Sequence, residues 1–351
     1  MMEPKRILIT RTDRLGDVVL STPVIRFLRD KYPSAHIAFM VRPYTRDVVE
    51  HNPHLDEVIV YDKRYSQRGF WGTLKFAMRL RRKRFDMAVA LHPTNRVHIM
   101  LFLAAVPVRI GYNRKMGGLL TKRVVHDKQK GNRHEVDNNF DLLAKAGFDV
   151  SDAERRPYIV TEDREKSVVN DVIRDQGMGD KLIAIHAGAS CPSKRWPPER
   201  FARVCDALAS DFRYDIILVG GSDAMEYSRT VSSKMKSKVF DLTGRLRVGE
   251  LAELLSRCSI LISNDSGPVH ISVAVGTPVV CVFGRNDPGL SPMRWGPVGK
   301  EDIVLHKDVG CGKCLAHNCL KDFACLKAIT ADEVIGAAGK ILSKSSHLAG
   351  P

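Results

Sequence analysis

Short apolar runs alternate with longer amphipathic segments along almost the whole chain. Apolar runs of strand length lie at 6–10, 36–41, 57–61, 87–91 and 108–112 in the first half, and at 181–186, 215–219, 239–242, 259–263 and 278–283 in the second. Segments with helical periodicity lie between them, at 17–31, 135–146, 163–176, 198–210, 224–235 and 249–258, with a last one at 330–342. Strands and helices that alternate in this way build parallel sheets with helices on both faces. The pattern predicts an α/β fold with doubly wound sheets.

The length of the chain and one polar interruption predict two domains. A chain of 351 residues is long for a single hydrophobic core. The alternation lapses into polar residues around 149–157 and then starts again. We therefore place one Rossmann-like domain at 1–160, a second at 161–328, and a final helix and tail at 329–351.

One loop in the second half has the composition of a phosphate site. The run from Ile185 to Pro197, I-H-A-G-A-S-C-P-S-K-R-W-P, joins a predicted strand to a predicted helix. Its small residues let a ligand approach the backbone, and Lys194 and Arg195 place cations just ahead of the helix. Free amide groups at a helix start, with a lysine beside them, favour an anion such as a diphosphate. A simple turn with solvated charges explains the same residues equally well.

A second run, N-D-S-G-P-V-H at 264–270, also follows a predicted strand. Ser266 or the glycine after it suits a helix N-cap, and Pro268 suits the first helical position, so capping explains much of the run. Capping does not explain why Asp265 and His270 accompany the serine at the carboxyl end of a strand. Open α/β sheets bind their ligands at that edge.

Three ordered motifs carry a resemblance to a known family. They are the opening R-I-L-I-T-R-T-D-R-L-G-D, then H-A-G-A-x-x-x-x-K-R-W-P, then N-D-S-G-P-x-H about 70 residues later. Together they resemble the bacterial family 9 glycosyltransferases, the ADP-heptose:lipopolysaccharide heptosyltransferases, from about residue 6 to about residue 342. The resemblance implies a GT-B fold, with an acceptor domain and a nucleotide-sugar domain facing across a cleft and a last helix returning toward the first domain. It also implies transfer with inversion of the anomeric centre.

Asp17 is the candidate catalytic base. It follows Gly16 directly and matches the family's catalytic aspartate, which implies that it takes the proton of the attacking hydroxyl. The helix dipole alone also favours an acidic residue at a helix start. Asp13, four residues earlier, is the second candidate because it does not occupy the G-D position.

The resemblance also implies which residues bind donor and acceptor. The donor residues are Gly188, Ala189, Ser190, Lys194, Asp223, Asp265, Ser266, Gly267 and His270. Lys194 would neutralise the diphosphate, and Asp223 would bind the nucleotide ribose, although helix capping is a close alternative for Asp223. Some family members have two threonines where this chain has Gly188 and Ala189, so Ser190 is the substitute source of a hydroxyl. The acceptor residues are Arg64, Arg123 and His134, for which plain surface charge is the alternative.

The charge of the chain predicts an anionic partner. The formal net charge is +15, and many of the basic residues lie in the first half, where aromatic residues are threaded among them at 63–84. A solvated helix face accounts for most of these charges, and a docking surface for the inner leaflet of the inner membrane is the sharper interpretation. Nucleic acid is not expected, because no binding motif is present. We expect a cytoplasmic protein, peripheral to that membrane if it contacts it.

Four of the eight cysteines crowd into one segment. They are Cys311, Cys314, Cys319 and Cys325. Their spacing lacks the paired C-x2-C of a zinc ribbon, so four reduced thiols are favoured over a structural metal site. The sequence also lacks the Asp-x-Asp motif of metal-dependent glycosyltransferases, so no cofactor is expected.

Other functions remain open on the residues alone. Within the family, the acceptor or the sugar donor could differ. A Rossmann-type nucleotide-dependent oxidoreductase is the alternative from another class, although no strand is followed by G-x-G-x-x-G. A non-catalytic module that binds anionic glycolipid or nucleotide is the third hypothesis.

Overall fold

The computed structural model describes residues 3–348, and the chain divides between Val160 and Thr161 into two compact units. In residues 3–160 the strands are β1 (Arg6–Thr10), β2 (His36–Val41), β3 (Glu57–Val60), β4 (Met87–Ala90), β5 (Val108–Tyr112) and β6 (Lys122–Val124). The helices of this unit are α1 (Leu15–Val19), α2 (Thr22–Lys31), α3 (Gly69–Arg82), α4 (Asn95–Leu103) and α5 (Glu135–Lys145). The strands form one parallel sheet in the order β3-β2-β1-β4-β5-β6.

The second unit repeats this arrangement. In residues 161–348 the strands are β7 (Leu182–His186), β8 (Asp215–Leu218), β9 (Val239–Asp241), β10 (Ile260–Asn264), β11 (Val279–Phe283) and β12 (Ile303–His306). The helices are α6 (Asp163–Gln176), α7 (Pro198–Ser210), α8 (Met225–Ser232), α9 (Val248–Arg257), α10 (Gly267–Val275), α11 (Pro292–Trp295), α12 (Ala324–Lys327) and α13 (Ala331–Leu348). The parallel sheet has the order β12-β11-β10-β7-β8-β9. Both orders are those of a doubly wound fold.

Each sheet is covered by helices that bury apolar side chains. In the first unit, Phe76 and Leu80 of α3 and Leu101 of α4 pack in one cluster with the sheet. In the second unit, Trp196 and the α13 residue Val334 belong to the corresponding cluster. Each such side chain contributes roughly 1.5–3 kcal/mol when fully buried, so these helices are fixed firmly to their sheets.

One predicted helix is wrong in its extent. The segment 17–31 is two helices, because α1 ends at Val19 and α2 begins at Thr22. Pro23 has no amide hydrogen to donate to the Val19 carbonyl, and the Thr22 hydroxyl donates to that oxygen instead, at 2.8 Å. Ser21 donates in the same way to the Asp17 carbonyl, at 2.8 Å. The break makes α1 a short turn that carries Asp17.

The edge strands β6 and β12 are absent from the predicted set. Strand β6 has the sequence K-R-V and lacks the apolar run that marks a central strand. Strand β12, I-V-L-H, has a run of only three apolar residues and is only partly buried. Helix α13 packs on α7 and lies beside β10 in the second unit. Its return toward the first domain stays a prediction, and residues 349–351 of the tail lie outside the described residues. Among residues 3–348, none of the helices combines the length and the apolar character needed to span a membrane.

Candidate active site

The two central strands of each sheet are parallel, and after them the chain continues toward opposite edges of the sheet. In the first sheet these strands are β1 and β4, and in the second they are β7 and β10. The crevice outside the carboxyl ends of such a strand pair is the usual ligand site of a doubly wound sheet. The segments that follow β1, β7 and β10 contain Asp17, Lys194 and Asp265. The topology thus brings the principal candidate residues to these two positions.

Asp17 lies in a buried cluster of charges around Arg11. The Arg11 guanidinium donates to Asp17 Oδ1 at 2.5 Å, to Asp13 Oδ1 at 2.8 Å and to Glu135 Oε1 at 3.0 Å. Lys128 Nζ donates to the same Glu135 oxygen at 2.6 Å. Arg11, Lys128 and Glu135 are almost fully buried, and Asp17 is 8% exposed. The cluster holds the Asp17 carboxylate in a single position at the end of β1.

Burial and neighbouring carboxylates adjust the proton affinity of this cluster. Burial, and then the charge of Asp13, raise the pKa of Asp17 to about 6, although Arg11 acts in the opposite direction. Burial, and then the charge of Arg11, lower the pKa of His92 to about 4. The ring is therefore neutral at neutral pH, and the contact of 3.1 Å between His92 Nδ1 and Asp13 Oδ2 is not an ion pair there. Asp17 is ionised at pH 7 but is a stronger base than an exposed aspartate.

Basic side chains lie around the backbone of the loop that follows β1. Lys63 Nζ lies 3.5 Å from the Thr12 carbonyl, and a guanidinium nitrogen of Arg42 lies 3.5 Å from the Asp13 carbonyl. Tyr44 donates to that same carbonyl at 2.7 Å. Arg96 in turn donates to the Lys63 carbonyl at 3.4 Å. These contacts give the loop a cationic rim.

The three predicted acceptor residues are not equally close to this loop. Arg64 is exposed and directly follows Lys63, whose pKa is lowered by burial, then by the charge of Arg42, and to a lesser extent by Arg64. His134 caps α5 by accepting from the Val136 amide at 3.3 Å, and it precedes Glu135 of the charge cluster. Arg123 is exposed on the edge strand β6, and no described contact links it to Asp17.

In the second domain the structure brings two of the predicted donor residues into contact. Lys194 Nζ lies 2.5 Å from Asp265 Oδ2, and the two side chains are 14% and 5% exposed. Lys194 ends a short 3-10 helix, Pro192–Lys194, and Asp265 follows β10 directly. In this state the ammonium group is neutralised by the protein's own carboxylate. A diphosphate would compete with Asp265 for the same cation.

Asn264 fastens the loop that carries Lys194. Its side-chain amide donates to the Ala187 carbonyl at 2.6 Å, and its carbonyl oxygen accepts from the Trp196 amide at 3.1 Å. Arg195 donates to the Ala189 carbonyl at 3.0 Å, so it braces the loop from within. The loop is therefore held at both ends by fixed partners.

The remaining donor candidates line the same edge of the second sheet. A Cβ on Gly188 would lie 2.5 Å from Ala224 Cβ, so only glycine allows the loop to run this close to the neighbouring segment. Asp223 is exposed in the turn after β8. Ser266 is the N-cap of α10, but its side chain accepts no hydrogen bond from the first amides of that helix. The other predicted residues are Ala189, Ser190, Gly267 and His270, of which His270 is buried.

Comparison with known proteins identifies the family. Residues 73–324 match the profile of glycosyltransferase family 9 (heptosyltransferase). The chain belongs to this family. The lipopolysaccharide heptosyltransferase 2 of Salmonella typhimurium is 25% identical over 299 residues, which cover 82% of this chain and 85% of that protein.

Solved structures agree on the fold. A family 9 glycosyltransferase from Veillonella parvula is similar with a TM-score of 0.85 and 28% identity, over 97% of this chain and 98% of that one. The Escherichia coli ADP-heptose LPS heptosyltransferase II is similar with a TM-score of 0.81 and 23% identity, over 97% and 99%. The family 9 chain is thus a glycosyltransferase, and its fold class is the GT-B arrangement of two doubly wound domains that its motifs implied.

Sequence reasoning missed several residues of this family 9 site. They are Arg11, His92, Lys128, Glu135 and Asn264. Arg11 and Asn264 stand inside two of the motifs that carry the resemblance, directly after or at the end of an apolar strand. A charged or amide side chain at such a buried position needs a fixed partner, so these two residues could have been predicted to belong to the site. The other three come from distant segments and gave no local signal.

The cysteine segment of this family 9 chain surrounds a cavity of about 230 Å³. All four cysteines of the segment line it, together with Arg285 and Lys307. Arg285 also donates to the Ser193 hydroxyl at 3.1 Å, beside Lys194. Within residues 3–348, no group of three or more histidine, cysteine or acidic side chains is arranged to hold a metal ion.

Proposed function

We propose that this family 9 glycosyltransferase moves heptose from ADP-heptose to an inner-core lipopolysaccharide acceptor, with inversion and with Asp17 as general base. The observation that carries the proposal is the ionised but buried Asp17 carboxylate at the carboxyl end of β1, with its pKa raised to about 6. A base whose pKa lies close to the working pH takes a hydroxyl proton efficiently as the bond to the sugar forms. The names of the relatives support heptose as the sugar.

In this proposal the second domain holds the donor through its diphosphate. Lys194 exchanges Asp265 for the phosphate oxygens, and the amides of Gly188, Ala189 and Ser190 donate to them. Ser266 and Gly267 at the start of α10 add further donors, and His270 lies one turn along that helix. Asp223 binds the nucleotide ribose. These groups stabilise the charge that develops on the departing ADP.

The acceptor is proposed to be an anionic lipopolysaccharide precursor. Lys63, Arg42 and Arg96 surround the loop that carries Asp13, so this edge of the first sheet attracts carboxylate and phosphate groups. Arg64 extends this rim, and Arg123 and His134 are proposed as outer contacts. The protein would act at the cytoplasmic face of the inner membrane, with no metal cofactor, since the chain lacks an Asp-x-Asp motif.

A donor screen tests the function. The purified protein is given ADP-heptose, UDP-glucose or GDP-mannose, each with and without a lipid A–Kdo acceptor, and release of the nucleoside diphosphate is measured. We expect release of ADP that depends on the acceptor, and a β-to-α or α-to-β change at the anomeric carbon in the product. Release of UDP or GDP without release of ADP would show that the donor is a UDP-sugar or a GDP-sugar and not ADP-heptose. Tight binding of NAD(P)H without binding of ADP would favour the oxidoreductase alternative.

A further inference from the structure

Helix α3 presents an exposed face that the proposed chemistry does not use. Its other face buries Thr73, Phe76, Ala77 and Leu80 against the first domain, so its orientation is fixed. Phe70 and Trp71 in its first turn are nevertheless 70% and 71% exposed, and they contact each other edge to face with ring centroids 5.4 Å apart. Large aromatic side chains are seldom left this exposed in pairs unless the surface has a partner.

The exposed face of α3 is also strongly cationic. Residues 63–84 contain nine lysines and arginines and no acidic residue. Trp71, Lys75, Met78, Arg79 and Arg82 are all exposed and share one side of the helix, because their spacing follows the helical repeat. Lys83 pairs with Glu57, but among the described residues no carboxylate pairs with Lys75, Arg79 or Arg82. These charges are free to meet an external anion.

We propose that this face of α3, defined by Phe70, Trp71, Lys75, Met78, Arg79 and Arg82, docks on an anionic lipid bilayer. A helix that combines a basic row with protruding aromatic and Met side chains is suited to the headgroup region, where the rings enter the interface and the cations meet lipid phosphates. A second copy of the chain would bring the same positive charge, so self-association through this face is disfavoured.

The docking face rests on the proposed function in one respect, namely that the acceptor is a lipid. The segment that leads into α3 contains Lys63 and Arg64, beside the loop of Asp13. A helix that rests on the bilayer would therefore hold this basic rim close to acceptors that are themselves lipids. The bilayer partner is argued from the helix alone, so it can be tested without donor or acceptor.

Vesicle binding of the full-length protein tests the proposal. The probes are vesicles of pure phosphatidylcholine and vesicles with about one third phosphatidylglycerol, both without any lipopolysaccharide. Trp71 is a built-in reporter, since the other two tryptophans, Trp196 and Trp295, are buried and half-buried. We expect co-sedimentation with the anionic vesicles only, weakened by salt, and quenching of tryptophan fluorescence by brominated lipid that is lost in Trp71→Phe.

Charge-reversal variants separate this face from general electrostatics. Arg79→Glu with Arg82→Glu should lower the partition coefficient by about 30-fold or more, given the attraction each basic residue has to an anionic surface. Lys234→Glu with Lys236→Glu makes the same charge change at exposed sites in the second domain and should have little effect. Phe70→Ser with Trp71→Ser should also weaken binding. Transfer to a delipidated acceptor should be unchanged in every one of these variants.

Three results would overturn the proposal. Equal binding of neutral and anionic vesicles would show that charge does not drive binding. An equal loss of vesicle binding in the two charge-reversal variants would show that α3 is not the docking face. Tighter binding of duplex DNA than of anionic vesicles at the same salt concentration, lost in the α3 variants, would assign the face to nucleic acid. If vesicles bind as expected while no donor is turned over, the docking face stands and the proposed reaction falls.

Discussion

Arg11 donates to Asp17 across 2.5 Å, and the same guanidinium also contacts Asp13 and Glu135. Three carboxylates therefore share the Arg11 guanidinium, and Lys128 pairs with one of them, Glu135. Burial, and then the charge of Asp13, make Asp17 a stronger base than its ion pair with Arg11 alone would suggest. Arg11 fixes the direction of the carboxylate, while burial and the other acids raise its pKa.

Asp17→Asn should abolish most of the turnover and leave donor binding intact. The amide keeps the shape of the side chain but cannot take a proton, and loss of a general base costs on the order of 10²–10⁴ in rate. Initial rates of ADP release and calorimetric binding of ADP measure the two effects. The exposed Asp30→Asn in the same domain is the control and should be neutral. An active Asp17→Asn enzyme would reject this residue as the base.

Asp13→Asn should preserve activity and shift its pH dependence. Below about pH 6 the rate should fall as Asp17 becomes protonated, because a base works only when ionised. Asp13 is the neighbouring charge that most raises the pKa of Asp17. Its removal should lower that pKa and move the acid limb of kcat/KM to lower pH. If Asp13 is instead the base, this variant will be inactive at every pH.

The sequence predicted the central strands within a residue or two because buried parallel strands are continuous apolar runs. The edge strand β6 has the sequence K-R-V and is only partly buried, so it carried no such signal. The break between α1 and α2 could have been predicted from Pro23, since a proline interrupts a helical hydrogen-bond ladder. Local pattern therefore predicts the central strands and the edge strands β3 and β9, and it misses the edge strands β6 and β12.

The site was predictable only where chemistry and motif coincide. The contact of Lys194 with Asp265 joins two residues that were both proposed as donor ligands, although their mutual ion pair was not foreseen. The contacts of Arg11 with Glu135 and of Arg11 with Asn139 join β1 to α5 through residues far apart in the chain. No periodicity or spacing records such a pairing, because it depends on the three-dimensional packing of the domain.

Lys194→Met should weaken donor binding and destabilise the second domain for different reasons. The diphosphate loses a charge-assisted contact, which corresponds to roughly 10- to 100-fold in affinity. Asp265 is left buried without its cation, at a cost of about 3–5 kcal/mol. Adding Asp265→Asn should restore the free energy of unfolding but not the affinity for ADP. Calorimetry and denaturant unfolding of the single and double variants check this.

Asn264→Ala should loosen the loop that carries Lys194. The substitution leaves the Ala187 carbonyl and the Trp196 amide without partners in a buried setting, at about 1–3 kcal/mol for each group. We expect a lower free energy of unfolding and a raised KM for the donor with a smaller change in kcat. Asn264→Asp keeps the acceptor for the Trp196 amide but loses the donor to the Ala187 carbonyl, so it should also raise KM for the donor. A purely structural residue would change stability and leave KM unaltered.

The cysteine segment should hold reduced thiols and no stoichiometric metal. The four cysteines at 311–325 are partly exposed, and the other four, Cys191, Cys205, Cys258 and Cys281, are buried. Because a reagent cannot reach a buried sulfur, four thiols per chain should react with a disulfide reagent in the native protein and the rest only after unfolding. Elemental analysis of protein purified without chelator supplies the second measurement. One zinc or iron per chain, together with fewer than four reactive thiols, would instead assign the segment to a metal site, because coordinated sulfur is shielded from the reagent.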